Sequence, residues 1–285
     1  MERKKCFSSA VLLLLSSGFF LVGCTSLFYF PRIQGRKLLE PARFKLQEED
    51  VFLHGVNGQQ IHAWWFPAKG DFSGKSLGTV VFFHGNAENI TSHFASLSWL
   101  PEAGYNYLIW DYPGYGLSAG EPSPKDNVNS AHIVLNWAHE KDPRPLIIYG
   151  QSLGGNIALR SALDMKSTIP LRAVVIDGSF ISNRSVARQK ASESWLLWLI
   201  QPLAWLVMSD EYSPAGIDTL SPVPLLVIHG QKDQVVAPKF GEAIYEQAAQ
   251  PKEIWRIPEG THNSTFWAHD RVYRKKFLEY LEGLR

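Results

Sequence analysis

The sequence predicts an α/β fold, with one mainly parallel, twisted sheet of about eight strands covered by helices on both faces. Three observations carry that prediction. Short runs rich in β-branched and aromatic residues alternate with longer amphipathic segments, as a parallel sheet with crossover helices requires. Several of those runs are apolar throughout, the mark of strands buried on both faces. The stretch Leu146-Ile147-Ile148-Tyr149-Gly150-Gln151-Ser152-Leu153-Gly154-Gly155-Asn156 then reads as a buried strand, a G-x-S-x-G turn and the start of a helix.

The elements follow in order. A hairpin comes first, residues 51–53 and 61–66 flanking the turn residues Asn57-Gly58. Strands are predicted near residues 79–83, 105–110, 145–149, 171–176, 224–228 and 253–257. Helices are predicted near 90–102, 124–140, 153–164, 238–247 and 264–281. A longer insertion near 180–220 interrupts this alternation and is expected to form a short cap. Its middle holds Trp195, Trp198 and Trp205, is too short to span a bilayer and is broken by Pro202. Three readings stand: a helix burying its apolar side on the domain, an apolar roof over the site, and a patch dipping into a membrane.

Ser152 is the candidate nucleophile. A serine on so tight a turn projects its hydroxyl from the sheet, and the helix that follows aims its free N–H groups at the turn. A hydroxyl is a weak nucleophile near neutral pH, so a base and an orienting acid must follow, in the chain order serine, acid, histidine. Asp233, in the loop that follows the apolar strand 224–228, is the first choice of acid; Asp177, at the end of another strand, is its rival. Only His262 and His269 come later in the chain. His262 lies in a loop between a strand and the last helix and is the expected base, whereas His269 falls within that predicted helix. The strand 79–83 ends in His84-Gly85-Asn86, where a second oxyanion donor is expected beside the Leu153 N–H, and Asn86 is chosen for it. His84 itself is expected to pack and hydrogen-bond beneath the loop.

Four motifs together resemble the α/β-hydrolase superfamily: Phe83-His84-Gly85-Asn86-Ala87-Glu88-Asn89, Asp111-Tyr112-Pro113-Gly114-Tyr115-Gly116-Leu117-Ser118, Gly150-Gln151-Ser152-Leu153-Gly154-Gly155 and Gly260-Thr261-His262-Asn263. They are similar to one branch in particular, small membrane-associated serine hydrolases that include protein depalmitoylases. The resemblance runs from about residue 50 to the carboxyl terminus. It implies Ser152 as nucleophile, Asp233 as acid, His262 as base, the N–H groups of Asn86 and Leu153 as oxyanion hole, and no cofactor. The expected activity is cleavage of carboxylic esters or thioesters. A serine peptidase or amidase of the same fold, or a non-catalytic envelope binding protein, are the alternatives.

Residues 1–23 read as a signal peptide, with Arg3, Lys4 and Lys5 preceding an apolar run that ends Leu21-Val22-Gly23-Cys24. Small residues before a cysteine resemble the bacterial lipobox, which implies lipid on Cys24, with residues 24–49 a lipidated tether and 50–285 the domain. An uncleaved anchor is the rival reading. The expected location is the bacterial cell envelope, and Thr25 after the cysteine favours the outer membrane. The two cysteines, Cys6 and Cys24, would leave the mature chain without a free thiol. Lys and Arg number 28 against 27 Asp and Glu, so no basic surplus supports a nucleic-acid partner. The sequence has no H-E-x-x-H, no Cys cluster and no G-x-x-x-x-G-K, so no metal or nucleotide is expected. The expected partners are an acyl-bearing small molecule, lipid or acylated protein, and a membrane.

Overall fold

The computed structural model describes residues 29–31, 38–56, 58–69, 76–192, 208–267 and 271–284. The signal peptide, Cys24, the three tryptophans of the insertion and His269 lie outside them. Eight strands form one sheet: β1 (Glu49–His54), β2 (Gln60–Phe66), β3 (Thr79–Phe83), β4 (Asn106–Trp110), β5 (Leu146–Gln151), β6 (Leu171–Asp177), β7 (Leu225–Gly230) and β8 (Lys252–Ile257). Their spatial order is β8-β7-β6-β5-β3-β4-β2-β1. The β1–β2 and β2–β4 pairs are antiparallel and every other pair is parallel. The predicted fold class is the one observed.

Helices α1 (Ile90–His93), α2 (Pro124–Lys141), α3 (Leu153–Met165), α4 (Asn183–Ser192), α5 (Lys239–Gln247) and α6 (Val272–Gly283) lie between and after the strands. On one sheet face, Val80, Phe82, Tyr149, Val175 and Leu226 cluster with Phe94, Leu97, Phe277 and Leu281, so α6 and the segment after α1 cover that side. The alternate side chains Val81, Phe83 and Ile148 are equally buried on the other face. There α3 packs so tightly that a Cβ on Gly150 would lie 2.7 Å from that of Ala158. Burial of β3, β5 and β7 along their whole length is why their sequences carry no polar alternation.

Two predicted helices differ from those observed. Residues 90–102 form the single turn α1 followed by 3₁₀ turns at Phe94–Leu97 and Pro101–Ala103. Serine, threonine and histidine supply weak helix propensity there, and Pro101 ends the run. The last helix starts at Val272, not near residue 264. Asn263, directly before that predicted helix, adopts a left-handed conformation (φ 57°) in a turn.

The chain divides into two compact units, Phe30–Ile181 with Tyr212–Arg285, and Met1–Tyr29 with the insertion Ser182–Glu211. The insertion ties its own described ends together. Asp210 accepts the Ser182 hydroxyl (2.8 Å) and the Arg184 N–H (3.2 Å) at the start of α4, and the Arg184 Nε donates to the Met208 carbonyl (2.7 Å). Among the described residues no helix is long and apolar enough to cross a membrane.

Candidate active site

Register brings the carboxyl ends of the strands level. Phe83 of β3, Gly150 of β5, Ile176 of β6 and Val227 of β7 form one row of paired residues across the sheet. The loops that follow therefore open along one edge, the place where open parallel sheets bind ligands.

Ser152 turns the chain from β5 into α3 with φ 56° and ψ −122°, a conformation side chains rarely adopt. Three glycines make the turn sterically possible. A Cβ at Gly154 would fall 2.1 Å from the Phe83 carbonyl oxygen, one at Gly155 2.5 Å from the Ser179 Cβ, and one at Gly150 2.6 Å from the Gly155 Cα. Local hydrogen bonds hold the strained turn. The Ser152 N–H donates to the Asp177 carbonyl (2.9 Å), and the Ser179 hydroxyl donates to the Ser152 carbonyl (2.6 Å).

The three residues proposed from sequence converge on this turn. His262 Nε2 lies 3.1 Å from Ser152 Oγ, and His262 Nδ1 lies 2.7 Å from Asp233 Oδ2. The other oxygen of Asp233 accepts the Val235 and Val236 N–H groups (2.8 and 2.9 Å). Burial alone would raise this carboxyl, but hydrogen bonds from His229 and His262 and from the Val236 N–H hold it well below the usual carboxylate range. An ionised Asp233 fixes the proton of His262 on Nδ1, which leaves Nε2 with a lone pair facing the hydroxyl.

Asp177 takes a different place. Its carboxylate accepts the hydroxyls of Tyr149 (2.7 Å) and Thr265 (3.1 Å), while both ring nitrogens of His262 are engaged by Asp233 and Ser152. Burial raises the Asp177 carboxyl above its ordinary value despite those two donors. It anchors the loop that carries His262 to the sheet through Thr265.

The loop after β3 passes beside the serine, with a Cβ on Gly85 falling 3.7 Å from that of Ser152. His84 is buried and its Nδ1 donates to the Gly85 carbonyl (2.7 Å). A trans peptide points its C=O and N–H in opposite directions, so this bond aims the Asn86 N–H away from His84. Burial, with His93 alongside, holds the His84 ring well below the ordinary imidazole range, so it is neutral and keeps one defined tautomer. Tyr112 donates to the His84 carbonyl (2.7 Å) and Tyr115 to the Asn86 carbonyl (2.7 Å). Leu153 opens α3, and the first N–H groups of a helix have no carbonyl partner within it.

Sequence reasoning missed several residues of this centre. His229 is buried, donates from Nε2 to the Val236 carbonyl (2.9 Å) and lies 3.5 Å from Asp233 Oδ2. Gly178 (φ 58°) sits where a Cβ would be 3.4 Å from Asp233 Oδ2 and 3.5 Å from His262 Nδ1. His93 stacks on His84 (4.9 Å between centroids) and bonds the Ala87 carbonyl (2.6 Å). The two tyrosines stood within a quoted motif, but nothing local said that they would grip the loop after β3. Among the described residues no group of His, Cys, Asp or Glu is arranged to hold a metal ion.

Comparison with known proteins places the chain in a family. Residues 74–215 match a family model described as serine aminopeptidase, S33, a span that contains Ser152 and ends before Asp233 and His262. The uncharacterised protein YfhR of Escherichia coli is 32% identical over 238 residues, covering 82% of this chain and 80% of that protein. The chain belongs to the α/β-hydrolase superfamily. This hydrolase is also 27% identical over 273 residues to the α/β-hydrolase domain-containing protein WAV2 of Arabidopsis thaliana, covering 90% of the hydrolase and 86% of WAV2. Its fold is similar to that of an esterase from Pyrococcus furiosus, with a TM-score of 0.69 at 20% identity, covering 90% of the hydrolase and 96% of the esterase.

Proposed function

We propose that this hydrolase cleaves carboxylic esters or thioesters through an acyl-serine intermediate while tethered to a membrane of the bacterial envelope by lipid on Cys24. One observation carries the chemistry: the unbroken hydrogen-bonded chain from Ser152 through His262 to Asp233. His262 Nε2 takes the hydroxyl proton as Ser152 Oγ attacks the carbonyl carbon, and Asp233 stabilises the imidazolium that forms. The N–H groups of Asn86 and Leu153 receive the developing oxyanion. His262 then returns its proton to the departing oxygen or sulfur. Water, activated by the same ring, releases the acyl group. Esters and thioesters suit this centre because their leaving groups need the least help. The substrate is an acyl-bearing small molecule, lipid or acylated protein.

Ser152→Ala should abolish turnover of p-nitrophenyl esters and labelling by a fluorophosphonate probe, with the melting temperature held within a few degrees. Full activity in that variant would refute the mechanism. The serine aminopeptidase description of the matching family favours a second reading, peptide-bond cleavage. Parallel rates on an acyl ester and an aminoacyl amide decide between them. Esters of graded chain length then rank the acyl group.

A further inference from the structure

We infer that the sheet edge bearing Ser152 is held against a lipid bilayer by the amino-terminal segment, and that this hydrolase takes acyl substrates from that bilayer. The inference rests on the reading of Cys24 as lipid-bearing and adds to it an orientation and a substrate source.

The first support is where the chain joins the fold. Phe30–Pro31 pair in parallel with Ala87–Glu88, in the loop directly after β3. The Phe30 N–H donates to Asn86 Oδ1 (3.2 Å), an oxygen that also lies 2.9 Å from the Tyr115 hydroxyl. The amino-terminal segment thus enters at the residue whose N–H is assigned to the oxyanion hole.

Reach supplies the second. Phe30 stands six residues after Cys24, so even a fully extended chain spans at most about 20 Å between them. A globular domain of this length is roughly 45 Å across by chain-length scaling. A tether shorter than half that width, fixed beside Asn86, keeps the site-bearing edge near the bilayer and cannot let the opposite edge take its place.

The third is the apolar character of the rim. Eight large hydrophobic side chains are exposed among the described residues, and five lie outside the eight-stranded sheet and the helices, in segments at or after the carboxyl ends of strands: Phe30, Val56, Leu117, Val235 and Trp267, the last with the Arg271 and Arg274 guanidinium groups over its ring. Leu117, Val235 and Trp267 lie in the segments after β4, β7 and β8. Val56 sits in the β1–β2 turn, which the antiparallel Ala63–Trp110 and His54–Gln60 pairings bring to the same edge. Single exposed hydrophobics are ordinary anywhere on a surface, but a majority on the edge that opens the site is what an interface with hydrocarbon requires.

The test uses the full lipidated chain in phosphatidylcholine vesicles. A Gly/Ser linker of twenty residues is inserted after Thr25, and the ratio of two rates is read: turnover of a long-chain fluorogenic ester dissolved in the bilayer over turnover of soluble p-nitrophenyl acetate. A tether about four times longer should lower the effective concentration at the surface, and with it the ratio, roughly eight- to tenfold. An unchanged ratio overturns the inference, as does a Cys24 peptide whose mass carries no lipid. A dimer in detergent that loses its bilayer preference would show the rim to be covered by a second copy instead, and also overturns it. Absence of turnover on both esters in the parent chain would refute the hydrolytic reading, a separate failure.

Discussion

His84 shows how one side chain can set the chemistry of a neighbour it does not resemble. Its Nδ1 holds the Gly85 carbonyl, and through one rigid peptide it points the Asn86 N–H. His84→Ala should therefore lower kcat about 10²-fold with KM little changed, the usual cost of losing one oxyanion donor, as steady-state kinetics on a soluble ester would show. Asp233 has a second consequence, on stability. Its folded carboxyl lies below the ordinary value, so the unfolded chain binds that proton more readily. The stability it supplies is present above about pH 4 and drains as pH falls towards the folded value. Asp177 has the opposite sign: its carboxyl is raised, so the stability it supplies is lost as pH rises. Urea unfolding of Asp233→Asn should accordingly show a smaller loss of stability between about pH 5 and pH 3 than the parent, together with a fall in kcat of about 10⁴-fold.

At the scale of elements, the base loop is the part whose placement most needs explanation. His262 follows β8 in a run of turns, and the side chain that anchors this run to the central sheet is Thr265, bonded to the buried Asp177. Thr265→Val should cost about 1 kcal/mol and lower kcat several-fold, with Thr265→Ser restoring both, as thermal melts and kinetics would record. The strands were legible in the sequence because burial on two faces writes itself as unbroken apolar runs. The elbow was legible because a strand, a G-x-S-x-G turn and a helix follow one another in the chain, although the contacts that require Gly154 and Gly155 come from Phe83 and Ser179. Asp233 and His262 were legible through chain order and position after strands. What was not legible depended on tertiary approach. Tyr112 and Tyr115 reach the His84 and Asn86 carbonyls from 28 and 29 positions away, and Gly178 meets His262 only across the sheet edge. The helix expected over residues 90–102 failed for a local reason, since Thr91, Ser92, His93, Ser96 and Ser98 lower its propensity between the buried Phe94, Leu97 and Leu100 and Pro101 breaks it.

For the molecule as a whole, strand order governs when the parts can meet. β5 sits inside the sheet between β3 and β6, while β7 and β8 are added at one side. A chain ended after residue 250 would retain Ser152 and Asp233 but lose β8, His262 and α6. It should be inactive and should aggregate through the uncovered edge of β7, as light scattering beside an ester assay would detect. The hydroxyl and its base are separated by 110 positions in the chain. At a synthesis rate of roughly 5–20 residues per second, the ribosome delivers that imidazole some five to twenty seconds after the serine. A nascent polypeptide therefore carries the Ser152 hydroxyl without its imidazole partner until β8 and the loop after it have emerged and folded.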